Sequence, residues 1–207
     1  MRVIILTWEF PPRTVGNLAN YVKGLVHELG RNKVETHVVT YHEYLVGRYE
    51  EAEDVKVYRI RNPVHTHIGV LTWVLTLNQE VERVAAEIYY NTDRQVNLMD
   101  VHDWHFIPAA VTLKKAFALP FLYSVDSLED HRSHGANSLL NMSIKSIEWL
   151  GMYESQRIIV KSEWMLNELI RLYRVPKSKI RVIPTKSATR TRKILETYEE
   201  CNRRHNL

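Results

Sequence analysis

Short continuous apolar runs alternate along this chain with longer stretches in which apolar positions recur every third or fourth residue. Residues 3–6, Val-Ile-Ile-Leu, form such a run and predict a strand buried on both faces of a parallel sheet. Residues 18–31 carry apolar side chains at 18, 22, 25, 26 and 29, which is helical spacing. The same reading gives strands over 34–41, 55–60, 98–102, 120–125, 157–161 and 180–183, and helices over 70–90, 107–117 and 138–153. A further helix, capped by Ser162, runs to Tyr173. Residues 186–205 predict a charged helix with a weak apolar face at Ile194, Leu195 and Tyr198. Loops fill 8–17, 62–67 and 126–135. Six or seven strands separated by helices require βαβ crossovers, hence an α/β fold: a doubly wound, Rossmann-like, mostly parallel sheet with helices on both faces. Residues 1–185 make up this single lobe and 186–207 the basic helix after it. Ligands of such sheets sit beyond the carboxyl ends of the strands, at the switch point. That directs attention to the loops 8–17, 102–106 and 126–137.

Composition narrows the picture. The 207 residues are 45% hydrophobic and 25% charged, enough to bury a full core without disulfides or a structural metal. A single cysteine, Cys201, excludes a disulfide framework or a multi-thiolate metal site within one chain. No apolar run is long enough to span a membrane, and the opening residues lack the features of a signal peptide, so the expectation is a soluble, cytoplasmic protein with no membrane partner. The net charge of +4 sits mainly in the tail: residues 186–207 hold six basic and three acidic side chains, the rest 22 and 21. A basic tail on a balanced body argues against a nucleic-acid partner.

Three loops hold the candidate chemistry. Val15-Gly16-Asn17-Leu18 opens a helix whose first amides could hold a phosphate, or it is a turn before a helix. It contains neither a dinucleotide fingerprint nor a P-loop. Asp100-Val-His102-Asp103-Trp104-His105 packs two histidines, two carboxylates and a tryptophan into six residues. His102 suits acid, base or hydrogen-bond donor work, and Trp104 offers a flat face to a sugar ring. The structural alternative has Asp103 capping the next helix and Trp104 in the core. Asp126 to Gly135, with Glu129 and Arg132, reads either as a solvated loop or as part of the same site, and His65 and His67 read as surface. Pooling His102, His105, Asp126, His131 and His134 would give a metal hydrolase, but no His-Glu-x-x-His is present and no rigid element fixes three ligands.

In series these segments resemble the N-terminal, acceptor-side domain of glycogen synthases and related two-lobed (GT-B) retaining glycosyltransferases. Trp8-Glu9-Phe10-Pro11-Pro12 through Val15-Gly16-Asn17-Leu18 is similar to the family's opening E-[FY]-P-P … V-G-G-L segment. Val101-His102-Asp103-Trp104 resembles its H-D-W, and Phe121 to Arg132 its strand ending in T-x-H-S/N. Residues 143–164 and 174–184 resemble the later helices, strands and exit toward a second lobe. The resemblance implies glucosyl transfer from ADP-glucose or UDP-glucose to an α-1,4-glucan acceptor, with no metal and no further cofactor. It places Gly16 and Asn17 at the donor diphosphate and His102 near the transferred sugar, donating a hydrogen bond as charge develops. It places Asp103, Trp104, Glu9, Asp126, Glu129 and Arg132 among the acceptor or donor contacts.

Three departures stand against this. Asn17 replaces the family's second glycine, and Asp126 its strand-end histidine, which would set an anion beside an anionic donor. After Ile183-Pro184 the family's donor-nucleotide lobe does not follow. The leading expectation is half of a transferase, inactive alone and completed by a separate donor-lobe chain or a homo-oligomer, with tail residues such as Arg190, Arg192, Arg203 and Arg204 docking the partner. It predicts that the Trp104 loop faces an open cleft and that a neighbouring surface is unusually apolar. The second reading is a non-catalytic glucan-binding or regulatory module.

Overall fold

The computed structural model describes residues 1–52 and 54–203. Its strands are β1 (Arg2–Thr7), β2 (Glu35–Tyr41), β3 (Gly47–Ala52), β4 (Val55–Ile60), β5 (Leu98–His102), β6 (Phe121–Ser124), β7 (Arg157–Val160) and β8 (Ile180–Val182). Its helices are α1 (Leu18–Arg31), α2 (Val70–Asn91), α3 (Ile107–Phe117), α4 (Glu129–Arg132), α5 (Leu139–Glu154), α6 (Glu163–Tyr173) and α7 (Arg190–Arg203). The eight strands form one sheet in the order β3-β4-β2-β1-β5-β6-β7-β8. All pairs are parallel except β3 with β4. The doubly wound α/β fold is therefore present, with β3 added. That edge strand, Gly-Arg-Tyr-Glu-Glu-Ala, has no apolar alternation to betray it.

The two-residue period of the strands divides the core between the faces. Val3 and Ile5 of β1 join Leu18, Val22, Leu25, Val26 and Leu29 of α1, while Ile4 and Leu6 meet the side covered by α2, α3, α5 and α6. α7 lies on the α1 side, where Ile194, Tyr198 and Cys201 are buried. Full burial of side chains of this size stabilises by roughly 1.5–3 kcal/mol each. The tail helix is thus part of the core rather than a detached docking arm. It begins at Arg190, later than the expected 186; residues 204 and 205 of the expected span lie outside the described residues. Ser162 caps α6, accepting from the Met165 amide at 3.2 Å, and Ser138 caps α5 in the same way. Among the described residues no helix is long and apolar enough to cross a membrane.

Candidate functional site

The strand order reverses between β1 and β5, where Thr7 pairs with His102. From this point the chain leaves in opposite directions, into the loop before α1 and into the turn before α3. Glu9 lies at the root of the first loop, 2% exposed. Its carboxylate accepts from the amides of Val15, Gly16 (2.8 Å) and Ala19 (3.2 Å). An internal anion therefore occupies part of the α1 N-terminus, where otherwise unsatisfied amides favour negative charge. Asn17, next along, is exposed at φ −77°, ψ −16°, a conformation open to any residue, and its side chain makes no cap bond. Its backbone therefore does not require glycine at this position.

Residues 98, 100 and 102 of β5 point toward α1 and α7. Asp100 is 1% exposed and accepts from Ser124 Oγ at 2.8 Å and Tyr198 Oη at 2.6 Å. Burial opposes its ionisation, but His102, Tyr198 and Ser124 outweigh that and hold the carboxyl below its usual range. His102 is wholly buried and neither ring nitrogen has a hydrogen-bond partner among the described residues. Its Nε2 lies 3.5 Å from Asp100 Oδ2, an electrostatic contact.

Asp103 follows at φ 62°, ψ −179°, a region nearly confined to glycine, so the site holds local strain of about 1–3 kcal/mol. It does not cap the next turn. Its Oδ1 has no hydrogen-bond partner among the described residues and lies 3.8 Å from Arg132 Nη1. Burial, with Asp126 and Glu148 nearby, lifts its pKa to about 7 despite Arg132. Arg132 itself donates to Glu129 at 3.1 Å, Glu148 at 2.8 Å and Ser127 at 2.5 Å. Glu148 is fully buried in α5 and also accepts from the Glu129 amide and the Tyr173 hydroxyl. The structure thus brings Asp103, Glu129 and Arg132 together, with the latter two largely committed to protein partners.

Trp104 is 4% exposed and packs against Val74 and Ile144. The expected open platform is not there, because the ring is core. It begins a column of stacked rings: Trp104 on His105 (4.3 Å), His105 on Trp8 (4.5 Å), Trp8 on Tyr41 (5.7 Å), with the Arg13 guanidinium 4.3 Å over Trp8. Burial presses the His105 pKa down to about 3, so its ring is neutral within the stack. Trp73 meets Trp8 and Tyr41 edge-on at 5.1 and 4.8 Å, and the partly exposed rings of the cluster are His105, Trp8, Tyr41 and Trp73.

Asp126 is not the lone anion that the sequence suggests. Lys161 is ion-paired to it, and the same ammonium sits 3.8 Å over the Tyr21 ring. His131 pairs with Glu168 at 2.8 Å and leans on Trp164, and His134 is exposed. Among the described residues no three His, Cys, Asp or Glu side chains gather as a metal site. Arg190 is bonded to Glu28 and stacks near Tyr21, so it serves the interior of the lobe. Arg192 faces Glu196 at 3.6 Å; Arg204 lies outside the described residues. Sequence reasoning missed Lys161, Glu148 and the contact of Tyr198. A lysine ending a buried strand and a glutamate inside an amphipathic helix were the available signals.

A set of large apolar side chains lies exposed along the carboxyl-end rim. Val15 follows β1 and Tyr44 follows β2; Ile68 precedes α2; Leu139 and Met142 begin α5, and Trp164 begins α6. Other large apolar side chains, among them Tyr90, Trp149 and Tyr153, are exposed elsewhere on the chain.

The model of glycosyltransferase family 4 matches residues 18–185. An uncharacterized glycosyltransferase of Methanocaldococcus jannaschii is 34% identical over 185 residues, covering 88% of this chain and 45% of that protein. A glycogen synthase of Mycobacterium tuberculosis is 24% identical over 197 residues, covering 88% and 47%. Among solved structures, the sucrose-phosphate synthase of Thermosynechococcus elongatus superposes with a TM-score of 0.72 at 18% identity, over 88% of this chain and 47% of that one. The chain thus spans about half the length of these relatives, and its sheet has the architecture of one lobe of a GT-B enzyme. On the family match and the archaeal relative together, the chain belongs to glycosyltransferase family 4.

Proposed function

We propose that this chain is the acceptor-side lobe of a retaining glucosyltransferase of the glycogen-synthase type, acting on ADP-glucose or UDP-glucose and an α-1,4-glucan and completed by a donor-nucleotide lobe. The lobe comprises residues 1–185, with the following helix packed on its flank. The observation that carries the reading is the buried His102, with unmet hydrogen-bonding capacity, at the switch point and one residue before the strained Asp103. His102 donates to the transferred sugar as charge develops in the transition state. The amide of Asn17 meets the diphosphate, since Glu9 already holds that of Gly16. Asp103, poised near neutrality, and Arg132 meet acceptor hydroxyls. Pairing with Lys161 makes Asp126 compatible with an anionic donor. The apolar rim gives the second lobe a surface to cover. Positioning by both lobes supplies most of such a rate enhancement, so the lobe alone transfers little.

The test is capture with this chain as bait in an extract of its own organism, followed by a glucosyl-transfer assay on the recovered pair. A co-purifying donor-lobe chain and transfer that collapses in His102→Ala support the reading. Recovery of glucan or an intact synthase, without a donor lobe, supports instead a binding or regulatory module. That second reading draws on the Glu9 carboxylate filling the α1 amides and on the buried Trp104.

A further inference from the structure

The Tyr198–Asp100 contact joins the last described helix to the carboxylate that faces His102. We propose that Asp100 is the positioning carboxylate of His102 and that Tyr198, on α7, locks that carboxylate in place, so that the terminal helix sets the protonation and orientation of the imidazole. The inference rests on the proposed role of His102 for its catalytic meaning, but the geometry stands alone.

Asp100, His102 and Tyr198 are all between 0% and 1% exposed. A buried carboxylate is retained where donors satisfy it, and Asp100 has two, from β6 and α7. Ser124 holds Oδ1 and Tyr198 holds Oδ2. Oδ2 is also the oxygen facing His102 Nε2 at 3.5 Å. A neutral imidazole carries one N–H donor and one acceptor nitrogen. With the carboxylate on the Nε2 side the proton of the neutral ring belongs on Nε2, so Nδ1 is the atom left for a ligand; it accepts in the neutral ring and donates to the transferred sugar only when the ring is the imidazolium, the form a neighbouring carboxylate stabilises. A few tenths of an ångström of closure would turn the contact into a charge-assisted hydrogen bond. Tyr21 is a further titratable group beside this carboxylate: burial and the Asp100 charge raise its pKa, so it stays a neutral phenol. Tyr21 of α1 presents its ring with centroids 6.1 Å apart, and the cations beyond it are engaged, Lys161 with Asp126 and Arg190 with Glu28. Tyr198 therefore sets how much of Oδ2 is available to His102.

The test is nitrogen-15 NMR of the His102 ring in the full chain, with no donor lobe or substrate present, compared among wild type, Asp100→Asn and Tyr198→Phe. In wild type the neutral ring carries its proton on Nε2. Asp100→Asn removes the acceptor that fixes the Nε2 proton, so the neutral ring populates both tautomers. Tyr198→Phe acts with the opposite sign, since Oδ2 loses its competing donor and leans on His102. A general loosening of the core would not produce opposite shifts. Tyr198→Phe keeps the ring in place and carries the test alone should Asp100→Asn not fold. A wild-type ring protonated on Nδ1, or folded variants whose His102 tautomer and ring nitrogen shifts match wild type, would overturn the proposal. Because no transfer is measured, this outcome is independent of whether the lobe supports catalysis.

Discussion

Asp103 is a carboxyl held where it is uncomfortable, and replacing it should make the lobe more stable. Its pKa rises from 3.8 to about 7 through burial and its acidic neighbours. The folded state therefore holds this proton more tightly than the unfolded chain does. Stability from this group is greatest below pH 4, falls as pH rises through the interval up to 7, and is flat above it. At 1.36 kcal/mol per unit the full interval is worth about 4 kcal/mol. In Asp103→Asn the side chain cannot ionise, so that cost vanishes, but a buried amide with imperfect partners costs about 1–3 kcal/mol. The expected net gain at pH 8 is about 1–3 kcal/mol. The cleaner quantity is the change with pH. Between pH 5 and pH 8 the variant should gain about 2.5 kcal/mol relative to wild type. Urea denaturation of both proteins at the two pH values measures it. A difference between variant and wild type that is the same at both pH values would refute the reasoning, as would a variant that loses stability relative to wild type with rising pH.

Three further outcomes follow from the packing. A Cβ added at Gly151 would lie 2.6 Å from Ile107 Cδ1 and 3.0 Å from the Tyr123 ring. Overpacking costs about 1–3 kcal/mol against a helix-propensity gain of about 1 kcal/mol, so Gly151→Ala should lower the urea midpoint by a net of about 1 kcal/mol. Lys161→Met leaves Asp126 without its cation and should cost about 1–2 kcal/mol, largely recovered when Asp126→Asn is added; a thermal-denaturation double-mutant cycle with coupling below about 0.3 kcal/mol would contradict this. Ile194→Ala should cost about 2–4 kcal/mol in one cooperative transition, and a negligible loss would mean that α7 does not belong to the core.

The elements that position the site were legible because their signals are local. The apolar spacing at 18, 22, 25, 26 and 29 gives α1 its observed bounds, and the continuous run at 3–6 marks the central strand. β3 was not legible, since an edge strand has one partner and little to bury. In the site, His102 and Asp103 stood out as residue types at a strand end. What surrounds them did not, because each partner is distant in sequence. Tyr198 meets Asp100 from 98 residues away, Lys161 reaches Asp126 from 35, and Glu9 turns back on its own loop amides. Trp104 was legible in identity but not in role. Whether a strand-end tryptophan faces a ligand or the core depends on Val74 and Ile144 in helices packed later.

On the proposed function, the carboxyl-end face around β5 and β6 takes an α-1,4-glucan acceptor. Titration of the isotope-labelled chain with maltoheptaose, followed by amide and side-chain NMR, tests it without any partner. The account predicts saturable shifts centred on His102, Asp103, Ser127 and Arg132, with those at the opposite, amino end of the strands unmoved. No shift at millimolar ligand, or shifts confined to the far end of the sheet, would contradict it.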